Sequence, residues 1–319
     1  MMLMVVLLNA LFASTFTFGK IALTHTTPFF FIGISMLIGG LLLLGYQFFM
    51  HRHKLTIRRE DWRYVLQVSF FSIFISYGLQ FWGLQYLPSF KACFLYNFGP
   101  FTSYLFAYFL FGEKMVPKKW IGMLLGFVGL LPVLLSTSPA EQAHQWSYFI
   151  SWPEIAIIAS AAAYAYGWFI IGILVHDKEY SALTVNGYSM VIGGVLALLT
   201  ASWAEGPFMI KEYLPFSMAL SAIILIEYII CNNLYAALLA RFSETFLSFT
   251  TFLIPIFGAF YGWLFLTEAI TWHFFASLFI VAIAIWLFYR AEMEENPTHT
   301  HLEHFTTFEA EPWDDQFLD

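Results

Sequence analysis

The sequence predicts an all-α membrane protein, with ten transmembrane helices arranged as two inverted five-helix repeats. Three observations lead there: a composition too apolar for a soluble surface, ten apolar stretches of spanning length, and internal similarity at one offset. Of the 319 residues, 60% are hydrophobic and only 11% charged, and the mean hydropathy is +0.72. A soluble domain carries about a quarter charged residues, so this chain lacks the polar groups to cover a globular surface. The formal charge of −7 is unevenly placed: residues 291–319 hold nine acidic residues and no Lys or Arg, leaving +2 on the remainder. That distribution argues against nucleic-acid binding. Cys93 and Cys231 both fall in apolar runs, which rules out a disulfide framework.

Apolar stretches of about 20 residues span the hydrocarbon as helices. They lie near 3–23, 29–49, 64–87, 90–111, 118–136, 153–174, 183–203, 216–240, 244–266 and 271–290. The third and fourth part only at Leu87-Pro88-Ser89, and the eighth and ninth only at Arg241-Phe242-Ser243. Proline and polar residues at those joins favour hairpins over one long helix. Basic residues set the orientation. Arg52, Lys54, Arg58, Arg59, Arg63, Lys114, Lys118, Lys119, Lys178, Arg241 and Arg290 fall on one side, against Lys211 alone on the other. Both termini are therefore expected in the cytoplasm, and the first span, with no basic run before it, is expected to be retained.

The second span reads Gly33-x-Ser35-Met36-x-Ile38-Gly39-Gly40, and the seventh reads Gly187-x-Ser189-Met190-x-Ile192-Gly193-Gly194, an offset of 154. Pro100 precedes Glu113 as Pro255 precedes Glu268, at an offset of 155. Two matches at nearly one offset indicate a duplicated five-helix unit, and an odd number of spans inverts the second copy. The expected domains are a first repeat at 1–136, an extracytoplasmic linker at 137–152, a second repeat at 153–290 and an acidic disordered cytoplasmic tail at 291–319. Inverted repeats are a common build of secondary carriers, with the substrate near the midplane. No filter-like run suggests a channel, and no phosphate-binding loop suggests ATP coupling. The expected partners are a small-molecule substrate and the lipid bilayer, with no nucleic acid and no cofactor; association as a homodimer is left open.

Glu227, in the middle of the eighth span, is the leading candidate site residue, because a carboxylate at that depth is costly unless it is paired, neutral or hydrated. At 100° per residue Glu227, Tyr228, Cys231, Asn232 and Tyr235 share an arc of about 140°. Such a face offers an acid for a cation, an amide for a base and rings for stacking. The third span adds Tyr77 and Gln80 beside a serine-rich packing face, with Tyr77 matching Asn232 under the repeat offset of 155. Asn97 lies one turn before Pro100, and Trp82 is a further ring for stacking or cation–π attraction. Lys20 and Lys91 lie near the predicted outer face, where they snorkel to headgroups or serve an outer vestibule for anionic groups. The motif glycines are packing devices. No metal site is expected: His299, His301 and His304 lie in the tail without acidic partners at ligand spacing. An enzyme is not expected either, since His51, His53, Glu60 and Asp61 are the only concentration of catalytic groups and sit in a basic loop.

Phe111-Gly112-Glu113 followed by Trp120-Ile121-Gly122 resembles the Leu-Gly-Glu and glycine-bearing helix that end each repeat of the drug/metabolite transporter superfamily, in its ten-helix EamA-type branch. The second copy, Leu266-Thr267-Glu268 with Ala276-Ser277, departs by losing both glycines, while Pro100 and Pro255 match the proline of the preceding helix. The resemblance covers roughly residues 3–290. It implies a secondary-active carrier of the bacterial inner membrane working by alternating access. A narrower resemblance is to carriers of intracellular bacteria that import S-adenosylmethionine and return S-adenosylhomocysteine. In that case Glu227 would pair with a cationic group while Asn232 and aromatic rings read the base. The alternative is an amino-acid or other metabolite or drug exporter of the same branch, built from the same groups.

Overall fold

The computed structural model describes residues 2–99, 101–102, 105–106, 117–135, 150–231, 234–235, 238, 250–251 and 253–295. Pro100, Glu113, Asn232, Arg241 and the tail beyond 295 lie outside them. Apart from two short 3-10 turns at Arg52–Leu55 and Arg59–Asp61, ten helical segments follow one another among the described residues. In the first half they are α1 (Met2–His25), α2 (Pro28–Met50), α3 (Trp62–Leu84), α4 (Ser89–Tyr96) and α5 (Pro117–Leu134). The second half has α6 (Trp152–Gly172, extended by Ile173–Asp177), α7 (Ala182–Ala204), α8 (Tyr213–Cys231), α9 (Leu253–Leu266) and α10 (Trp272–Glu295). Six are long and apolar enough to cross a membrane. Large apolar side chains such as Leu41, Phe49, Leu199 and Phe279 stay exposed on their outer faces, as lipid contact requires.

The third and eighth segments are not uniform α-helices. α3 runs Trp62–Gln67, then a π-helical stretch Val68–Ile75, then Ser76–Leu84. α8 runs Tyr213–Ile223 and continues as a π-helical stretch, Ile224–Cys231. The two π stretches occupy corresponding places in the two repeats. Hydropathy does not register such widening, so the α-helical arc drawn for residues 227–235 changes there.

Equivalent helices pack on each other. α2 and α7 cross so closely that a β-carbon on Gly40 would stand 2.8 Å from the Gly187 carbonyl oxygen, and one on Gly194 would stand 3.0 Å from the Gly33 carbonyl oxygen. These two contacts are images of each other under the repeat offset, as a two-fold axis between inverted copies demands. Asn97 and Thr251, 154 residues apart, repeat the pattern with reciprocal bonds: Asn97 Nδ2 donates to the Thr251 carbonyl at 3.1 Å and Thr251 Oγ1 to Asn97 Oδ1 at 2.8 Å. α5 and α10 pair likewise, with Gly129 against Val281.

Both ends of the bundle are tied across the halves. At the end carrying the arginine-rich loop, Lys178 Nζ lies 2.5 Å from Asp61 Oδ1 and Tyr180 Oη donates to Asp61 Oδ2 at 2.7 Å. The hydrogen-bonded ammonium holds Asp61 below the usual carboxylate range, and Asp61 in turn raises Lys178. A lowered acid gives up its contribution only as pH falls through its folded value, and a raised lysine only as pH climbs through its own. This tie therefore persists across neutral pH. At the opposite end Glu205 accepts from the Phe29 and Phe30 backbone amides at 2.9 and 3.1 Å. Its negative charge sits where the helix dipole of α2 is positive.

Candidate functional site

Glu227 occupies the π stretch of α8 and is 7% exposed. Tyr77 Oη, on α3, donates to Glu227 Oε1 at 2.9 Å. Among the described residues no other side chain hydrogen-bonds this carboxylate, and no Lys, Arg or His lies at ion-pair distance. Tyr228 is buried beside it, with its Oη 3.2 Å from Ser35 Oγ on α2. The motif glycine Gly39 makes room for that ring: a β-carbon there would stand 2.7 Å from Tyr228 Cδ2. The repeat segment thus shapes the site as well as the seam.

Further rings close around this pair. Tyr77 meets Tyr164 of α6 edge to face at 6.2 Å and Tyr228 at 6.4 Å. Tyr164 continues to Tyr96 of α4 at 5.8 Å and to Trp168 at 5.9 Å, and Trp168 to Tyr235 at 5.7 Å. Tyr77 and Tyr228 are buried, whereas Tyr96, Tyr164, Trp168 and Tyr235 keep part of their surface accessible. Gln80 lies one turn beyond Tyr77 and is 5% exposed, yet its Oε1 has no hydrogen-bond partner. A buried acceptor left unpaired costs about 1–3 kcal/mol, so a polar group arriving there would be favoured. A desolvated carboxylate, aromatic walls and a spare amide suit a ligand that carries a positive charge and an aromatic or polar portion.

Of the residues expected from sequence, the structure brings Glu227, Tyr228, Tyr77 and Tyr235 into this cluster and Gln80 to its edge. Asn232 lies outside the described residues. Asn97 is engaged by Thr251 rather than by the cluster. Trp82 packs edge to face with Tyr86 at 5.4 Å and shares no ring contact with the tyrosines of the cluster among the described residues. Lys91 and Lys20 depart from the snorkelling expectation. Lys91 is 1% exposed, with its Nζ 2.6 Å from Glu154 Oε1, while Glu154 Oε2 accepts from the Ser151 amide at 2.5 Å in the capping box that starts α6. Depth alone suggested a headgroup for Lys91, but a carboxylate already fixed at a helix start is nearer. Lys20 Nζ donates to the Leu87 carbonyl and lies 3.9 Å from Glu268 Oε1. Glu268 accepts from the Ser89 amide with both oxygens at 2.8 Å and so holds the start of α4.

Sequence reasoning missed Tyr96, Tyr164, Trp168 and Glu154. Tyr164 and Trp168 stand four residues apart on α6 and so share a face, but in a chain with 21% aromatic residues that spacing singles nothing out. Among the described residues no group of three or more His, Cys, Asp or Glu is placed to hold a metal ion.

The chain matches the EamA-like transporter family over residues 1–135 and again over 151–290. It belongs to that family. The two matches fall on the two halves related by the α2–α7 seam, and they place this EamA-like transporter within the drug/metabolite transporter superfamily. A protein of Chlamydia muridarum (strain MoPn / Nigg), named S-adenosylmethionine/S-adenosylhomocysteine transporter, is 33% identical over 84% of this chain and 85% of its own. One of the same name from Chlamydia trachomatis serovar L2 is 34% identical over 84% and 83%. The uncharacterized transporter YvbV of Bacillus subtilis is 28% identical over 84% and 85%. A solved crystal structure at 15% identity superposes with a TM-score of 0.62 over 92% of this chain and 96% of that one, a likeness of fold.

Proposed function

We propose that this EamA-like transporter takes up S-adenosylmethionine in exchange for S-adenosylhomocysteine across a bacterial inner membrane, without enzymatic chemistry. Both termini face the cytoplasm, and the halves 1–136 and 153–290 rock about a midplane site centred on Glu227. The observation that carries this reading is the buried Glu227 carboxylate, bonded only to Tyr77 among the described residues and walled by rings. An uncompensated carboxylate at that depth calls for a cationic partner, and the sulfonium compound supplies one together with an adenine able to stack. The names of the chlamydial relatives support the same substrate pair.

Counterflow in proteoliposomes tests it. Vesicles preloaded with unlabelled S-adenosylhomocysteine should accumulate labelled S-adenosylmethionine, and Glu227→Gln should lower the rate at least about tenfold, as expected for losing a charge pair in a desolvated site. Amino-acid and nucleotide-sugar preloads serve as controls. A well-folded protein that exchanges amino acids but not the adenosyl pair would move the assignment to the exporter alternative.

A further inference from the structure

Resting on the substrate reading just given, we propose that Tyr96 and Tyr164 are specificity-determining residues: with Tyr77 and Tyr228 they wall an onium cage that lets the carrier distinguish the sulfonium of S-adenosylmethionine from the uncharged sulfur of its exchange partner. The rings are set at angles to one another along the chain Tyr228, Tyr77, Tyr164, Tyr96. Tyr77 stands at 83° to Tyr164 and at 80° to Tyr228, so neighbouring rings form adjoining walls instead of a stack. Tyr96 of α4 and Tyr164 of α6 meet at 5.8 Å and yet keep some accessible surface. Each keeps some surface outside its packing contacts, although Tyr96 also meets Phe16 edge to face at 5.6 Å.

Three features select the ligand class. The aromatic faces present negative potential, which attracts a cation. Among the described residues Glu227 supplies the one formal charge at the cluster, and Lys20 and Lys91 are committed to Glu268, Leu87 and Glu154 near one end of the bundle. A hard metal ion would require six or more oxygen ligands, which one carboxylate and a few phenols do not provide. A sulfonium spreads its charge over carbon and holds water weakly, so it can give up hydration where a compact ion cannot. S-adenosylhomocysteine has the same adenosyl and amino-acid groups but no charge on sulfur. At that atom the rings add to the Glu227 charge in telling the two apart.

The test is equilibrium binding to the purified full-length transporter in nanodiscs, with S-adenosylmethionine, S-adenosylhomocysteine and tetramethylammonium as probes. Tyr164→Phe and Tyr96→Phe keep a ring and should hold S-adenosylmethionine affinity within about threefold. Tyr164→Leu and Tyr96→Leu remove it and should weaken S-adenosylmethionine on the order of tenfold. S-adenosylhomocysteine should stay within about twofold, which also shows that the variants are folded. Equal weakening of both adenosyl ligands, or none, overturns the cage and leaves the substrate reading standing. If the wild type binds neither adenosyl compound, the substrate reading falls. Tetramethylammonium then decides the cage: about tenfold weaker binding in Tyr164→Leu upholds it, and unchanged binding overturns it.

Discussion

Thr267 has φ 53°, a left-handed backbone conformation that a β-branched residue rarely adopts. It holds the position that Gly112 occupies in the first repeat, and it immediately precedes Glu268, which secures the start of α4. The chain must turn tightly here, because the Glu268 amide donates back to the Gly262 carbonyl at 3.1 Å. Gly262 is equally constrained: a β-carbon on it would stand 2.5 Å from Glu268 Oε2. Thr267→Gly should therefore stabilise the protein by about 1 kcal/mol, the relief of backbone strain being partly offset by the greater chain entropy of glycine. Thermal unfolding in detergent reads this as a rise in Tm, and a fall would show that the threonine is unstrained. The sequence shows that the second copy lacks its glycine. It does not show that the turn survives the loss, because that depends on φ at one residue.

At the scale of elements, the α4–α6 clamp depends on a buried pair. Lys91 and Glu154 have side chains only 1% and 2% exposed, so removing one charge strands the other. Lys91→Met should cost about 3–5 kcal/mol. Adding Glu154→Gln removes the stranded charge while keeping an oxygen for the Ser151 amide, and should recover most of that loss. Thermal unfolding of the two variants side by side checks this, and equal destabilisation would show that the charges act independently. The six long spans among the described residues were legible because a spanning run of apolar residues leaves little choice of structure. The π stretches Val68–Ile75 and Ile224–Cys231 were not, since they change hydrogen-bond register without changing hydropathy. That register shift is also why the face drawn through Glu227 on α-helical geometry needed revision.

For the whole molecule, the symmetry was readable from two short matches, and the structure adds the contacts that lie on the axis. Glu227 stood out because an acid is rare in such a setting, and Tyr77 because it matches Asn232 across the repeat. Tyr96 and Tyr164 did not, since rings are everywhere and only the meeting of α4 with α6 selects these two. The glycine seam carries a consequence for the transport cycle. Gly40 and Gly194 are mirror positions, and a methyl on either would press on a carbonyl oxygen of the facing helix, at 2.8 and 3.0 Å. Inversion of the repeats exchanges the two sides of the membrane. On the proposed rocking motion, a lesion that favours the outward-open state in one copy must favour the inward-open state in the other. Gly40→Ala and Gly194→Ala should therefore shift spin-label distances at the two ends in opposite senses. The double variant should lie nearer the wild type than either parent, each lesion acting as counterweight to its twin; shifts of the same sign would exclude that motion.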